Sequence, residues 1–347
     1  MGAELSGRNE AVAHLRSQFA SALTAIEPDD DDKANAPEAH QQVRAALESD
    51  PQLIEYGIDT ILIGSYKRSV SIKRIKDVDV FGRMADMPDT VTSEEILDHV
   101  FNVLDQEFGN DDDGNPRCVR QDRSVQVDFP EFDLYVDAVP ARPHGDGDTW
   151  DIPERGSDDE WVETNPDELT TLTSAMNEKH DVLYVKTVKL MRQTRRAQLG
   201  KAKPGGFFIE IATYHAFERV LATGTDQAEY YTSALAGVSS IIDDLVLNGV
   251  GLPDPTLEDQ DISVRATDSE FEQLREAFSA AAVTAAESLA QLQEGKAALG
   301  FRSLLGADPD GEWIFPMPPG FNDDGTKKES ALTPGDPTVP AGNRQFG

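Results

Sequence analysis

Three aspartates in two alternating segments are the residues of this sequence whose types and spacing best suit chemistry. Asp77 and Asp79 lie one residue apart in the segment Asp77–Phe81, and Asp137 lies in the later segment Phe132–Val139. Because side chains alternate along a strand, Asp77 and Asp79 face the same side. Neighbouring carboxylates repel each other unless cations neutralise them. Three such carboxylates suit a two-metal site for phosphoryl transfer, with Mg²⁺ or Mn²⁺ bound between carboxylate and phosphate oxygens.

A glycine and a serine follow the strand that precedes these aspartates. The segment Asp59–Gly64 is short and rich in β-branched residues, which indicates a buried strand. Gly64 would allow the backbone to approach a phosphate closely, and Ser65 could donate a hydrogen bond to it. A Gly-Ser pair alone is more often an ordinary turn, and Asp133 shares the strand face of Asp137 and is an alternative third carboxylate. The order of the motifs, with basic residues between them, favours phosphoryl transfer.

The charge of the chain limits its ligands. Lys and Arg number 31 against 64 Asp and Glu, a formal net charge of −33. Such a surface repels long nucleic acids, whose binding depends on cationic contacts to phosphates. The bases are clustered: five lie between Tyr66 and Lys76, and seven between Lys186 and Lys203. Local positive charge on a negative protein predicts a small, compact anion such as a nucleoside triphosphate.

Hydrophobic periodicity divides the chain into a mixed first half and a helical second half. The first half combines helices at 11–26, 37–49 and 93–108, the last with Ser93 as N-cap, with strands at 59–64 and 77–81. The segments 119–129 and 132–139 are predicted to form a hairpin. From Asn165 onward the pattern predicts helices near 167–177, 181–199, 207–221, 226–247 and 269–292.

This order of elements predicts an α+β protein with a first lobe over residues 1–160, a helical lobe over 161–320 and a flexible tail over 321–347. The N-terminal helix could pack on the second lobe. No apolar run approaches the roughly 18 residues of a membrane span, and the first ten residues do not resemble a secretory signal. The single cysteine, Cys118, excludes an internal disulfide. We therefore expect a soluble, cytoplasmic protein.

The motifs resemble those of the polymerase-β-like nucleotidyltransferases, on the segments Ile61–Arg68, Asp77–Val80 and Val136–Ala141. Further segments resemble the oligoadenylate-synthase-like branch of that superfamily, the CD-NTases, which are bacterial enzymes that make cyclic oligonucleotide signals in antiphage (CBASS) defence. These segments are Trp161–Pro166, Val185–Leu190, Phe207–Glu210 and Asp254-Pro255. The resemblance extends from about residue 11 to about residue 320.

The resemblance implies a polymerase-β-like nucleotidyltransferase lobe, a mixed sheet with flanking helices, followed by a C-terminal α-helical lobe. Asp77, Asp79 and Asp137 would then be the metal-binding and catalytic residues, and Gly64 and Ser65 would bind the donor triphosphate.

The resemblance also assigns a lysine to the phosphates. Lys189, with Lys186 as the alternative, would reach the phosphates from a long helix of the second lobe. Helical spacing places Lys189, Arg192 and Arg196 on one face of that helix. Members of the branch commonly have a threonine five residues after the serine, where this chain has Val70 followed by Ser71.

The function that the resemblance implies is Mg²⁺-dependent, or alternatively Mn²⁺-dependent, condensation of nucleoside triphosphates. The product would be a cyclic di- or trinucleotide second messenger, formed with release of pyrophosphate. One alternative is a template-independent RNA nucleotidyltransferase of the poly(A)- or CCA-adding type, which the negative charge opposes. Another is an inactive interaction protein on the same fold, which the three intact aspartates oppose. Gly347 ends the tail, where the resemblance implies regulatory or conjugation partners.

Overall fold

A mixed seven-stranded sheet is the centre of the first half of the chain. The computed structural model describes residues 15–73, 76–145, 147–154, 161–308 and 310–328. The strands run in the order β1-β2-β5-β4-β3, and β6 and β7 extend the sheet from β5. Strands β2 and β5 are parallel, whereas the other pairs are antiparallel. The strand bounds are β1 Ile58–Ile63, β2 Asp77–Met84, β3 Cys118–Arg120, β4 Val125–Phe129, β5 Leu134–His144, β6 Thr149–Pro153 and β7 Trp161–Thr164.

One face of this sheet is covered by helices. Helices α2 (Asp30–Ser49) and α5 (Ser93–Phe108) pack against it, and α3 (Pro51–Glu55) and the single turn α4 (Gly64–Lys67) flank β1. The buried side chains of the two central strands are apolar and point into this core: Val78, Val80, Val136 and Ala138. Because side chains alternate along a strand, the aspartates of β2 and β5 project from the opposite face.

The second half of the chain is a helical assembly with its own core. Its helices are α6 (Pro166–Lys179), α7 (Leu183–Leu199), α8 (Gly206–Glu218), α9 (Gln227–Asn248), α10 (Asp268–Ala290) and α11 (Glu294–Leu305). Helix α1, described over residues 15–26, belongs to this core although it precedes the sheet in sequence. Its Phe19 ring lies 4.9 Å from the ring of Phe301 and 5.1 Å from that of Phe315. The N-terminal helix therefore packs on the helical part.

The beginning of helix α2 differs from the prediction, which placed it at Pro37. The helix begins at Asp30, because Asp29 caps it: the Asp29 side chain accepts from the backbone of Asp32, and the Asp32 side chain accepts from that of Asp29. Three acidic residues in the first turn add favourable interactions with the helix dipole. Pro37 consequently lies inside the helix.

Three smaller differences concern element ends. Helix α5 is capped by Thr92 rather than by Ser93. The segment predicted as one strand over 119–129 is two strands, β3 and β4, joined by a turn. Part of the predicted flexible tail is ordered, because Lys328 donates to the Gly320 carbonyl and Asn322 to that of Thr326, which closes a tight hairpin. Residues 11–14 of the predicted first helix and residues 329–347 of the predicted tail lie outside the described residues.

The fold confirms the predicted α+β class, with a mixed sheet, flanking helices and a helical second half. The limits of the two lobes at residues 160 and 320 stay a prediction. Within the described residues, none of the helices is long and apolar enough to cross a membrane.

We predict that Phe19→Ala lowers the free energy of unfolding by about 3–5 kcal/mol, because the ring is 1% exposed and its removal leaves a cavity between α1 and the helical core. Val283→Ala, at an exposed position of α10, should change it by about 0.5 kcal/mol or less. Denaturant unfolding of both variants measures this difference. Equal stabilities would show that α1 does not pack on the helical core in solution.

Candidate active site

The parallel pairing of β2 and β5 brings two of the predicted aspartates side by side. Asp79 and Asp137 are direct partners in the register of the two strands. Neighbouring strands are about 4.8 Å apart, so these carboxylates leave the same face of the sheet as immediate neighbours. Asp77 precedes Asp79 by two residues on the same strand. Asp133 does not share this face, since it lies before β5 and forms an ion pair with Lys76.

Crowding of the carboxylates is visible in their pKa values. Burial and the charges of Asp77 and Asp137 raise the pKa of Asp79 to about 7. Burial and the charge of Asp77 raise the pKa of Asp137 to about 6, although a hydrogen bond from the Ser124 hydroxyl, 3.3 Å away, acts in the opposite direction. Full ionisation of the cluster at neutral pH therefore requires a source of positive charge.

Gly64 lies directly against this cluster. Antiparallel pairing of β1 with β2 places Ile63 opposite Asp79, so the next residue begins α4 beside the Asp79 carboxylate. The backbone of Gly64 has a φ of +72°, and a Cβ built there would lie 1.8 Å from Asp79 Oδ2. Any side chain at this position would collide with the carboxylate and strain the backbone.

Ser65 is held by the loop that leads to β2. Its hydroxyl lies 3.0 Å from that of Ser71, and its carbonyl accepts from the Val70 amide at 3.0 Å. Val70 is fully buried in the helical core. At position 70, where the related motif has a threonine, the side chain faces the core, and the hydroxyl beside Ser65 is that of Ser71.

A cavity of about 520 Å³ opens between the sheet and the helices at this point. The sheet side contributes Gly64, Ser65, Asp77 and Asp79. The helical side contributes Arg192 of α7, and Phe207 and Glu210 of α8, while Asp254 and Thr256 come from the connection between α9 and α10. The cavity lining thus combines carboxylates with the guanidinium groups of Arg68, Arg123 and Arg192, which suits a phosphorylated ligand that binds with cations.

The lysines predicted to reach the phosphates lie elsewhere. Lys189 is buried and donates to Glu27 Oε1 at 2.6 Å, which ties α7 to the chain just after α1. Lys186 is exposed. Among the described residues that line the cavity, α7 contributes Arg192. A role of Lys189 or Lys186 at the phosphates stays a prediction, whereas the cation of the predicted helix face that lines the cavity is Arg192, about one turn further along.

Arg68 is a second cation of the cavity, and the sequence analysis gave it no individual role. It follows α4 directly, and its guanidinium donates to Glu210 at 2.6 Å and 3.2 Å. Burial lowers the pKa of Arg68, but the Glu210 carboxylate outweighs burial and raises that pKa above its ordinary value. In the sequence, the feature that could have identified Arg68 as a cavity residue is its place in the basic segment after Gly64-Ser65.

A second polar cavity, of about 450 Å³, lies on the Asp137 side of the site. Ser124, which donates to Asp137, lines it, and Arg123 lines both cavities. Arg265 reaches it from the helical half and pairs with Asp122 and Glu154.

The predicted metal would need several oxygen ligands directed at one point. Among the residues that the structure describes, no group of three or more histidine, cysteine, aspartate or glutamate side chains is arranged to hold a metal ion. Among the described residues, the side chains of Asp77, Asp79 and Asp137 therefore do not form a complete metal site. The chemistry of the cluster nevertheless fits a hard divalent cation, because its ligands are oxygens, and because burial together with neighbouring carboxylates raises the pKa of Asp79 and of Asp137.

Comparison with known proteins extends these observations. Residues 14–177 match the family model of the Second Messenger Oligonucleotide or Dinucleotide Synthetase domain. A cyclic AMP-AMP-AMP synthase from Acinetobacter sp. is 26% identical over 314 residues, which cover 86% of each chain.

Two solved structures resemble the whole fold. Escherichia coli MS115-1 CdnC with ATP is 17% identical with a TM-score of 0.65, covering 87% of this chain and 98% of that one. Bradyrhizobium diazoefficiens CdnG in complex with GTP is 15% identical with a TM-score of 0.64, covering 84% and 96%. These structures confirm the predicted fold, a polymerase-β-like nucleotidyltransferase lobe followed by a helical lobe. The domain match and the curated relative bear out the predicted resemblance to the CD-NTases, a family of nucleotidyltransferases that make cyclic oligonucleotides.

Proposed function

We propose that the protein condenses nucleoside triphosphates into a cyclic di- or trinucleotide and releases pyrophosphate. The observation that carries the proposal is the register of β2 and β5, which sets Asp137 beside Asp79, and Asp79 lines a cavity of nucleotide size. The similarity to a cyclic AMP-AMP-AMP synthase supports a cyclic oligoadenylate as the first product to test. A role in antiphage signalling, in the cytoplasm, belongs to the same proposal.

The donor triphosphate would lie between the Gly64-Ser65 turn and two guanidinium groups. Gly64 lets the backbone approach the phosphates, and the Ser65 hydroxyl is directed by Ser71. Arg68 and Arg192 line the same cavity and offer planar forks that match phosphate oxygens.

The base of the donor would lie against Phe207. Phe207 is the second residue of α8 and lines the cavity. It is 46% exposed, which is unusual for a phenylalanine. An exposed aromatic ring beside a phosphate-binding wall is suited to stacking on a nucleobase.

A divalent cation, Mg²⁺ or alternatively Mn²⁺, would be held by Asp77, Asp79 and Asp137. When bound, it supplies neutralisation of the triphosphate and a lowered pKa of the attacking ribose hydroxyl. The residues of the chain hold it in place: the carboxylates provide oxygen ligands, and Ser124 orients Asp137 through its hydroxyl.

The acceptor nucleotide would occupy the second cavity. That cavity adjoins Asp137 through Ser124 and shares Arg123 with the donor cavity. Two adjoining cavities on either side of one carboxylate cluster suit the joining of two nucleotides.

We predict that the purified protein forms small phosphatase-resistant products when it is supplied with the four nucleoside triphosphates and Mg²⁺. The double variant Asp77→Ala with Asp79→Ala should not form them, because it lacks two of the carboxylates that hold the cation. Mass spectrometry of the products gives their bases and ring size. Circular dichroism should show the folded state in the double variant. Extension of a labelled tRNA by the wild-type protein, without small products, would instead identify an RNA-directed enzyme.

We predict that Phe207→Ala raises the KM for the nucleoside triphosphate by about 5- to 100-fold, which corresponds to the loss of one stacking interaction. Phe207→Tyr is the matched control and should remain close to wild type, because it retains an aromatic ring. Steady-state kinetics of product formation measures both. A KM unaffected by Phe207→Ala would exclude stacking on this ring.

We predict that the cation-free protein loses stability as the pH rises from about 4 to about 7. The folded-state pKa of Asp79 is about 7 against an ordinary value of 3.8, so in this window the folded protein holds a proton that the unfolded chain has released. The loss should be on the order of a few kcal/mol. Denaturant unfolding at pH 5 and pH 8 in EDTA measures it.

Two controls separate this effect from general titration. Asp79→Asn should flatten the pH dependence, and Mg²⁺ should restore stability to the wild type at pH 8 more than at pH 5. An unchanged pH dependence in Asp79→Asn would assign the effect to other groups.

A further inference from the structure

One buried carboxylate joins two arginines of the cavity wall. The side chain of Glu210 is 1% exposed. Arg68 donates to it from Nε at 2.6 Å and from Nη2 at 3.2 Å, and Arg192 donates from Nη1 at 3.3 Å. The side chains of Arg68 and Arg192 are 4% and 17% exposed.

The three residues come from separate parts of the fold. Arg68 follows the Gly64-Ser65 turn at the edge of the sheet, whereas Arg192 and Glu210 lie on α7 and α8 of the helical half. The contact between Arg68 and Glu210 spans 142 positions in sequence. This cluster therefore fixes the phosphate side of the sheet to the helical wall of the cavity.

The surroundings of Arg192 are shaped to accept its guanidinium group. A Cβ added at Gly206 would lie 3.1 Å from the Arg192 Cζ atom, closer than ordinary contact. The guanidinium therefore lies flat against the first turn of α8, over a residue that has no side chain.

The charges of the cluster leave it with a net positive charge. One carboxylate faces two guanidinium groups, and each guanidinium carries five N–H donors, so several donors remain for a ligand. Both arginines line the same cavity as Asp79, and their charges also act to lower the pKa of that carboxyl. Asp79 is thus an alternative partner for either arginine.

We propose that Glu210 is a positioning residue, which holds Arg68 and Arg192 together facing the donor triphosphate and away from Asp79. This inference rests on the proposed function, because the ligand is the triphosphate of that reaction. It adds a role for a buried residue that pairs with the two arginines that would contact the ligand. Removal of the negative charge would let two like-charged groups separate and turn toward Asp79.

A purely structural role for Glu210 makes a different prediction. An ion cluster that only joins the two halves would, when broken, affect every ligand of the cavity alike. Loss of a positioned pair of arginines should instead affect ligands in proportion to their phosphates. The decisive comparison is therefore between a triphosphate and its nucleoside.

The test measures binding to the full-length protein by calorimetry. The probes are adenosine 5′-(α,β-methylene)triphosphate with Mg²⁺, which cannot donate its α-phosphate, and adenosine. We expect Glu210→Gln to weaken binding of the analogue by about 10- to 100-fold and that of adenosine by about 2-fold or less. In steady-state kinetics the KM should rise while kcat changes little.

Glu27→Gln is the matched control. It removes the acidic partner of Lys189, which is buried on the same helix as Arg192, and Glu27 does not line the cavity. It should leave binding of both probes within about 2-fold of wild type. If Glu210→Gln does not fold, Glu210→Asp retains the charge with a shorter side chain and should give a smaller loss, about 3- to 10-fold, for the analogue alone.

Coupling to Arg192 completes the test. Arg192→Gln alone should weaken analogue binding, and the double variant with Glu210→Gln should bind about as weakly as the weaker single variant, because Glu210 acts through the arginines. Fully additive losses, equal losses for adenosine and the analogue, or wild-type affinity in the Glu210 variants would each overturn the inference. A wild-type protein that does not bind the analogue at all would overturn the proposed function itself.

Discussion

Repulsion between carboxylates on two adjacent parallel strands is the constraint on which the rest of the site depends. The register of β2 and β5 sets Asp79 beside Asp137, and the apolar residues that alternate with them are locked into the core on the other face of the sheet. The carboxylates therefore cannot separate without unpacking that core. Their raised pKa values express the cost of this arrangement. A bound cation, or protons in its absence, must offset it.

The positive charge near the cluster is arranged so that it does not neutralise the aspartates directly. Arg68 and Arg192 are within electrostatic reach of Asp79, yet both donate to Glu210. A direct salt bridge to Asp79 would occupy the oxygens that a cation needs. On a chain with a net charge of −33, this small buried group of cations also restricts binding to compact anions.

Local patterns predicted which side chains share a face where one strand decides it. The alternation of Asp77, Val78, Asp79 and Val80 fixes which side chains share a face, and the structure retains that alternation. The cation of α7 could not be chosen in the same way, because residues 189, 192 and 196 share one face of the helix. Their surroundings differ: Glu27, which follows α1, binds Lys189, whereas Arg192 lines the cavity. The beginning of α2 likewise depended on a cap at Asp29 that the proline signal at position 37 obscured.

The Gly64-Ser65 turn and the carboxylate cluster form one unit because Gly64 lies directly against Asp79. Pairing of Ile63 with Asp79 places the next residue so close that a Cβ at position 64 would lie 1.8 Å from Asp79 Oδ2. Glycine is therefore required there by the position of the carboxylate as well as by its own φ of +72°. A shift of β1 against β2 by one residue would move the turn away from the aspartates and reverse the facing of every side chain in β1. The hydrogen-bonding register of two short strands thus sets the distance between the predicted phosphate site and the predicted cation site.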